Sequence, residues 1–93
     1  MVKIVYEQQK NRAAAYDDEK FIGESTYSKS NKLWIIDHTF VEGNYGGQGI
    51  ATKLVAKLVD EARKGNIKII PLCPFAKREF ESKREYEDVW EKW

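Results

Sequence analysis

Residues 45 to 51 read Tyr-Gly-Gly-Gln-Gly-Ile-Ala, with three glycines in four positions, between an apolar run ending near Val41 and a helical pattern starting near Gln48. A glycine-rich turn from a strand into a helix leaves main-chain N–H groups unpaired and aimed outward, with the positive end of the helix dipole behind them. Such a turn is built to receive a phosphate, and spacing narrows the kind. A P-loop needs Gly-Lys five residues after its first glycine, but Gly43 is followed at that distance by Gln48 and Gly49. A dinucleotide fingerprint starting at Gly47 puts Thr52 at its third glycine, and no acidic residue closes the next strand near Cys73.

At 93 residues the chain is expected to form one domain over residues 1–93, burying about 60–65% of the surface its unfolded form exposes. Net charge is +1 with acidic and basic residues interleaved, which argues against a nucleic acid or anionic membrane as partner. No apolar run approaches a membrane span, and the first residues lack a signal-peptide pattern. One cysteine and one histidine exclude a disulfide framework and a structural zinc site, so no metal is expected and a cytoplasmic location is.

Val2 to Tyr6 alternates, with Val2, Ile4 and Tyr6 on one face of a first strand. Arg12 to Tyr16 reads as its hairpin partner. Phe21 to Ser28 places Phe21, Gly23, Ser25 and Tyr27 on one side of a third strand and Ile22, Glu24, Thr26 and Ser28 on the other. Leu33-Trp34-Ile35-Ile36 opens the most apolar strand, read as central and buried on both faces, interrupted by Asp37-His38-Thr39 and closed by Phe40-Val41. Asp37 is read as a polar residue facing the sheet edge or a loop.

Ala51, Leu54, Val55, Leu58, Val59 and Ala62 form the buried stripe of a helix over Gln48–Lys64, capped at Gly65-Asn66. The strand Ile67–Ile70 must then run parallel to the fourth, because a helix joins them. Pro74 starts a second helix with Phe75, Ala76 and Phe80 inward. A last helical segment, Glu85 to Trp93, offers Tyr86, Val89, Trp90 and Trp93 as an apolar stripe. The fold class is α+β, in the order β-β-β-β-α-β-α-α, with a mostly antiparallel sheet and one parallel βαβ unit.

Gly47-Gln48-Gly49-Ile50-Ala51, after a strand and before an amphipathic helix, resembles the acetyl-CoA pyrophosphate loop of the GNAT superfamily of N-acetyltransferases. Gly49 and Ala51 match that family's last two loop positions, while Gly46 stands where Arg or Gln is usual. His38-Thr39, Pro71-Leu72-Cys73 and Glu85-Tyr86 make the chain most similar to the very small subgroup with a cysteine after the parallel strand. The likeness covers roughly Leu33 to Trp90, and the later strands of larger members have no counterpart here.

The resemblance implies a truncated GNAT-like fold, acetyl-CoA or coenzyme A as cofactor, and a primary amine on a protein or small molecule as acceptor. It also implies that the two parallel strands splay apart after Phe40 and Cys73. Phe40 and Val41 would then hold the pantetheine arm, with Phe75 beside it. Gly46, Gly47, Gln48, Gly49, Ile50, Ala51 and Thr52 would hold the pyrophosphate. The family's usual acid, a tyrosine four residues after Ala76, is replaced by Phe80. Cys73, at a helix N-terminus that favours a thiolate, can serve as acid or as nucleophile, or can be a buried structural thiol.

His38 is a candidate base, but at ~3.3 Å per residue it lies about 10 Å behind the splay if the strands end level. Glu42, near the splay's mouth, is the other candidate base. Two rival readings remain: a non-catalytic CoA-binding or protein-interaction module, and a small interaction domain using Trp90 and Trp93.

Overall fold

The computed structural model describes residues 1–92. Five strands form one sheet in chain order: β1 (Val2–Glu7), β2 (Arg12–Asp17), β3 (Lys20–Ser30), β4 (Leu33–Val41) and β5 (Lys68–Pro71). The first four pair antiparallel, and β4 and β5 pair parallel. Helix α1 (Ile50–Lys64) connects that parallel pair, and α2 (Pro74–Ser82) follows β5. The strand β4 is interior, between β3 and β5, but the middle of the sheet is β3. Only Trp34 and Ile36 of the β4 apolar run are buried, while Leu33 and Ile35 are half-buried. The run therefore has one core face rather than two.

Leu54, Val55, Leu58, Val59 and Ala62 of α1 pack into a single core with Ala13, Ala15, Ile22, Tyr27, Trp34, Ile36 and Ile69 of the sheet. Small Ala13 and Ala15 on β2 leave room for the helix in a close-packed interior. Tyr27 stacks on Trp34 with ring centroids 3.9 Å apart, and its hydroxyl meets that of Tyr6 at 2.6 Å. Burial first, and the Tyr6 bond second, push the Tyr27 phenol far above its ordinary range. Val2, Ile4 and Tyr6 pack against the same core, as the alternation of β1 requires.

Two bulges break the strict alternation. Ala15 pairs with Gly23 and Tyr16 with Phe21, so Ile22 is an extra residue in β3. Ile22 consequently turns into the core, and Phe21 turns out against Tyr16 and the Arg12 guanidinium. This reverses the faces that simple alternation assigns to Phe21 and Ile22, because an inserted residue flips every side chain on one side of it. Tyr27 pairs with Ile36 and Thr26 with His38, so Asp37 is the extra residue in β4. Asp37 lies on the outer face and accepts hydrogen bonds from Thr26 Oγ1 at 2.7 Å and Ser28 Oγ at 2.9 Å.

Helix α1 begins at Ile50 rather than Gln48, with Gly49 as its N-cap. At its other end Asn66, not Gly65, takes the left-handed conformation, with φ 57°. The Ile67 N–H reaches back to the Ala62 carbonyl at 2.8 Å, which satisfies a terminal helix acceptor. The final segment is a 3-10 helix over Arg84–Val89, not a helix to Trp93. Trp90 leaves it to bridge Ile69 beside β5, and the Glu91 N–H bonds to the Ile69 carbonyl at 2.8 Å. Arg63 pins this segment through both Asp88 carboxylate oxygens at 2.7 and 2.9 Å. Trp93 lies outside the described residues.

Candidate active site

The glycine loop forms because its backbone needs conformations that few side chains permit. After a 3-10 turn over Gly43–Tyr45, Gly47 and Gly49 take φ values of 80° and 75°. This is the left-handed region that glycine enters without penalty. Gly49 caps α1 without any side-chain bond, and the first helix-type bond runs from the Lys53 N–H to the Gly49 carbonyl. Among the described residues, the N–H groups from Gly47 to Thr52 donate to no protein acceptor. They stand at the positive end of a fifteen-residue helix with no acidic residue in its first turn.

The loop borders a hollow of about 190 Å³ walled by Val41 of β4, Tyr45 and Phe75 of α2. Larger hollows exist, such as one of about 440 Å³ between Lys32, Ile70 and Lys92, but it is the donors that mark this one. Gly46 is extended, and a Cβ placed on it would meet only the Gly43 carbonyl oxygen, at 3.4 Å. The Arg or Gln of the family pattern would fit there without moving the backbone.

A tether missed in the sequence holds this loop. The Tyr45 hydroxyl donates to Asp17 Oδ2 at 2.7 Å, and the N-terminal ammonium donates to Asp17 Oδ1 at 2.9 Å. The ammonium first, and Tyr45 second, hold the Asp17 carboxyl below its ordinary value. The same carboxylate holds the Tyr45 phenol above its own. Asp17 and Tyr45 are 28 residues apart, so only strand pairing brings them together.

The strands β4 and β5 do splay apart, but earlier than expected. Their pairing ends at Ile36 and Pro71, not at Phe40 and Cys73. The N–H groups of Leu72 and Cys73 both bond the Ile36 carbonyl at 3.0 Å, and the chain then turns into α2. From Asp37 to Val41, β4 runs on with β3 alone. Val41 lines the loop hollow, whereas the Phe40 side chain is exposed. Of the expected cofactor contacts, the structure therefore gathers Val41, Phe75 and the loop around one hollow.

Cys73 is the N-cap of α2, and its sulfur accepts the Ala76 N–H at 3.4 Å. The sulfur also lies 3.4 Å from Thr39 Oγ1, which is 3.0 Å from Ser25 Oγ. Cys73 is 7% exposed and Ser25 is 0% exposed, so both ends of this polar chain are buried, while Thr39 between them is half-buried. The bulge at Asp37 explains why Thr39 is there. Alternation from Ile36 would have turned His38 inward, whereas the extra residue turns Thr39 in and leaves His38 exposed. The side chain that reaches the sulfur is thus Thr39, while the candidate base His38 faces away from it.

The other candidates sit apart from the sulfur. Glu42 forms an ion pair with Lys20 at 3.6 Å at the start of the loop. Phe80 is 1% exposed and packs on Tyr86 and Trp90, at centroid distances of 5.1 and 5.8 Å.

A family model described as GCN5-related N-acetyl-transferase matches residues 12–89. The chain belongs to this family. It is therefore an acetyltransferase by descent, and the solved structures it resembles agree. An NMR structure from Staphylococcus aureus, described provisionally as a GCN5-like N-acetyltransferase, is 38% identical. That likeness covers 98% of this chain and 89% of the other, with a TM-score of 0.77. The ribosomal-protein-S18-alanine N-acetyltransferase of Escherichia coli shares the fold at 17% identity and TM-score 0.64. There the match spans 76% of this GNAT chain but only 49% of the larger enzyme. The ribosomal-protein-alanine N-acetyltransferase of Brucella melitensis biovar Abortus 2308 also shares it, at 22% identity and TM-score 0.55, over 81% of this chain and 62% of that one.

Proposed function

We propose that this protein binds acetyl-CoA and moves its acetyl group to a primary amine carried by a protein or a flexible small molecule. The observation that carries this reading is the run of unpartnered N–H groups from Gly47 to Thr52 beside the open edge of β4. Oriented donors at a helix N-terminus suit the cofactor's pyrophosphate, and they need no side chain to do so. Val41 and Phe75 line the same hollow, where the pantetheine arm would pass toward the splay. When bound, the cofactor supplies a thioester, an acetyl donor activated toward amines.

Cys73 stands where the splay begins, with the Ala76 N–H and the α2 dipole directed at its sulfur. Two roles fit that placement. Cys73 can donate its proton to the departing thiolate while the amine attacks directly. Alternatively its thiolate can take the acetyl group, forming a new S–C bond as the old one breaks, and then yield it to the amine. Incubation with acetyl-CoA followed by intact-mass measurement separates them, since only the second leaves an acetyl group on Cys73. Of the two candidate bases, His38 is exposed and paired with no acid among the described residues, while Glu42 is tied to Lys20. Exposed Phe40 on β4 and Leu72 just beyond β5 leave the splay open, which favours an acceptor amine on an accessible surface or chain.

The test of the cofactor site is an amide-resolved NMR titration with coenzyme A and acetyl-CoA. Shifts centred on Val41, Gly46–Thr52 and Cys73–Phe75 are expected. No shift at millimolar cofactor would end this reading, and binding without turnover on any amine would return the chain to a binding module.

A further inference from the structure

Ser25 is the one fully buried polar side chain of the described core, and Thr39 links it to the sulfur of Cys73. Thr39 faces this polar chain only because Asp37 is inserted into β4. Bulges beside reactive groups are a known way to re-aim one side chain. We propose that Thr39, backed by Ser25, is a positioning residue for Cys73: a reversible hydroxyl that serves the sulfur in both of its protonation states. The inference rests on the role given to Cys73 above.

The geometry allows either direction in both contacts. With a thiol, the S–H donates to Thr39 Oγ1, and the Thr39 hydroxyl donates to Ser25 Oγ. With a thiolate, Ser25 donates to Thr39, and Thr39 donates to the sulfur beside the Ala76 N–H. Two hydroxyl rotations separate these states, and no proton leaves through them, because Ser25 is the closed end of the chain at 0% exposure. The proton of Cys73 must therefore leave or return on the side of the splay, where the substrates meet. A fixed donor would favour one state only; a threonine hydroxyl favours whichever is present. Val has the same shape as Thr but neither donates nor accepts.

The experiment needs no cofactor and uses the single cysteine as its own reporter. Iodoacetamide alkylation of Cys73 is timed at one neutral pH in the wild type and in Thr39→Val, Thr39→Ser and Ser25→Ala, with thermal midpoints recorded for each. The sulfur forms a bond to the reagent's carbon as iodide leaves with the electron pair, so the rate reads the nucleophile. Thr39→Val is expected to slow alkylation about tenfold, because the hydroxyl's bond to a thiolate is stronger than its bond to a weakly donating thiol, and losing it lowers the thiolate share by that difference. Thr39→Ser should restore the wild-type rate, and Ser25→Ala should fall between. A Thr39→Val protein that melts as the wild type does and alkylates at the same rate would overturn the proposal. If Thr39→Val does not fold, Ser25→Ala alkylating at the wild-type rate would overturn it equally. A parallel NMR titration with acetyl-CoA tests the cofactor site independently, so failure of either reading is recognisable by itself.

Discussion

The glycine loop and the cysteine pocket lie side by side in this fold and are built on opposite principles. The loop is made of main chain: consecutive N–H groups whose direction is set by positive φ at Gly47 and Gly49. The pocket is made of side chains from three segments, Ser25 on β3, Thr39 on β4 and Cys73 before α2. A main-chain site tolerates changes of side chain but not of backbone conformation, whereas a side-chain site is the reverse. On the proposed function, the missing Arg or Gln at Gly46 is expected to remove little, since the main-chain donors remain. Phe80, by contrast, stands where the family pattern has a tyrosine and is sealed in an aromatic cluster, so on the proposed function an acid must come from elsewhere.

The largest expected effect is on the loop. Gly47→Val or Gly49→Val forces a β-branched residue into the left-handed region, at a cost of about 1–2 kcal/mol of stability. It should also turn the N–H groups and abolish the cofactor-induced amide shifts. Gly46→Gln, at an ordinary φ of −64°, should leave stability unchanged within about 0.5 kcal/mol and bind cofactor at least as well. Denaturant midpoints and the NMR titration check both. Equal damage from Gly46→Gln would break the distinction between backbone and side-chain sites.

Next comes the pocket. Cys73→Ser keeps an N-cap acceptor of a better kind, so it should melt no lower than the wild type, while Cys73→Ala loses about 0.5–1 kcal/mol as the cap disappears. Neither should gain mass on exposure to acetyl-CoA under conditions where the relay labels the wild type. A Cys73→Ser protein that transferred acetyl at the wild-type rate would reduce Cys73 to a cap.

The same contrast explains how much could be read before the structure. The loop is a run of neighbours, and its glycines and flanking periodicity announce strand, turn and helix in one window. The βαβ unit, the order of elements along the chain and the stripe of α1 followed from equally local patterns, whereas the middle place in the sheet went to β3 and not β4. The pocket joins residues 14 and 34 positions apart, and its membership turns on one inserted residue in β4. Alternation carries no mark for such an insertion, so Phe21 and Ile22 exchanged faces and Thr39 took the place that His38 would have held. A hint was present in Asp37-His38, two polar residues in succession where alternation from Ile36 asks for one. In the C-terminal segment Tyr86, Val89 and Trp90 do pack on the core as the stripe predicts, but the helix type and extent differ, for another reason. Tyr86 and Val89 are equally spaced in an α-helix and in the tighter 3-10 turn, and Trp90 finds β5 to bridge.

Smaller effects should come from the tether that ties the loop to β2. Tyr45→Phe removes one hydrogen bond to a carboxylate that is partly in water, so the thermal midpoint should fall only slightly. Freed from Asp17, the loop should bind cofactor a few-fold more weakly. Alkylation of Cys73 should not change, because the pocket owes nothing to Tyr45. A change in alkylation would show the two regions to be coupled and would undo their separation.

The smallest effect is one of pH, and its sign follows from the directions already given. The Asp17 carboxyl titrates below its ordinary 3.8 in the fold, so its contribution is fully present above that value and is lost as pH falls through the lowered one. The Tyr45 phenol is raised from 10.0, so the tether persists below that value and is lost as pH climbs through the raised one. Between these limits the loop is held. In the free protein, acid titration should therefore move the Gly46–Thr52 amides together with the Asp17 carboxyl, and the Thr39 and Cys73 amides much less. In Tyr45→Phe the loop amides should stop following Asp17. If they continued to follow it, the carboxylate would be acting on the loop through space, and the hydrogen bond from Tyr45 would not be what holds the glycine loop in place.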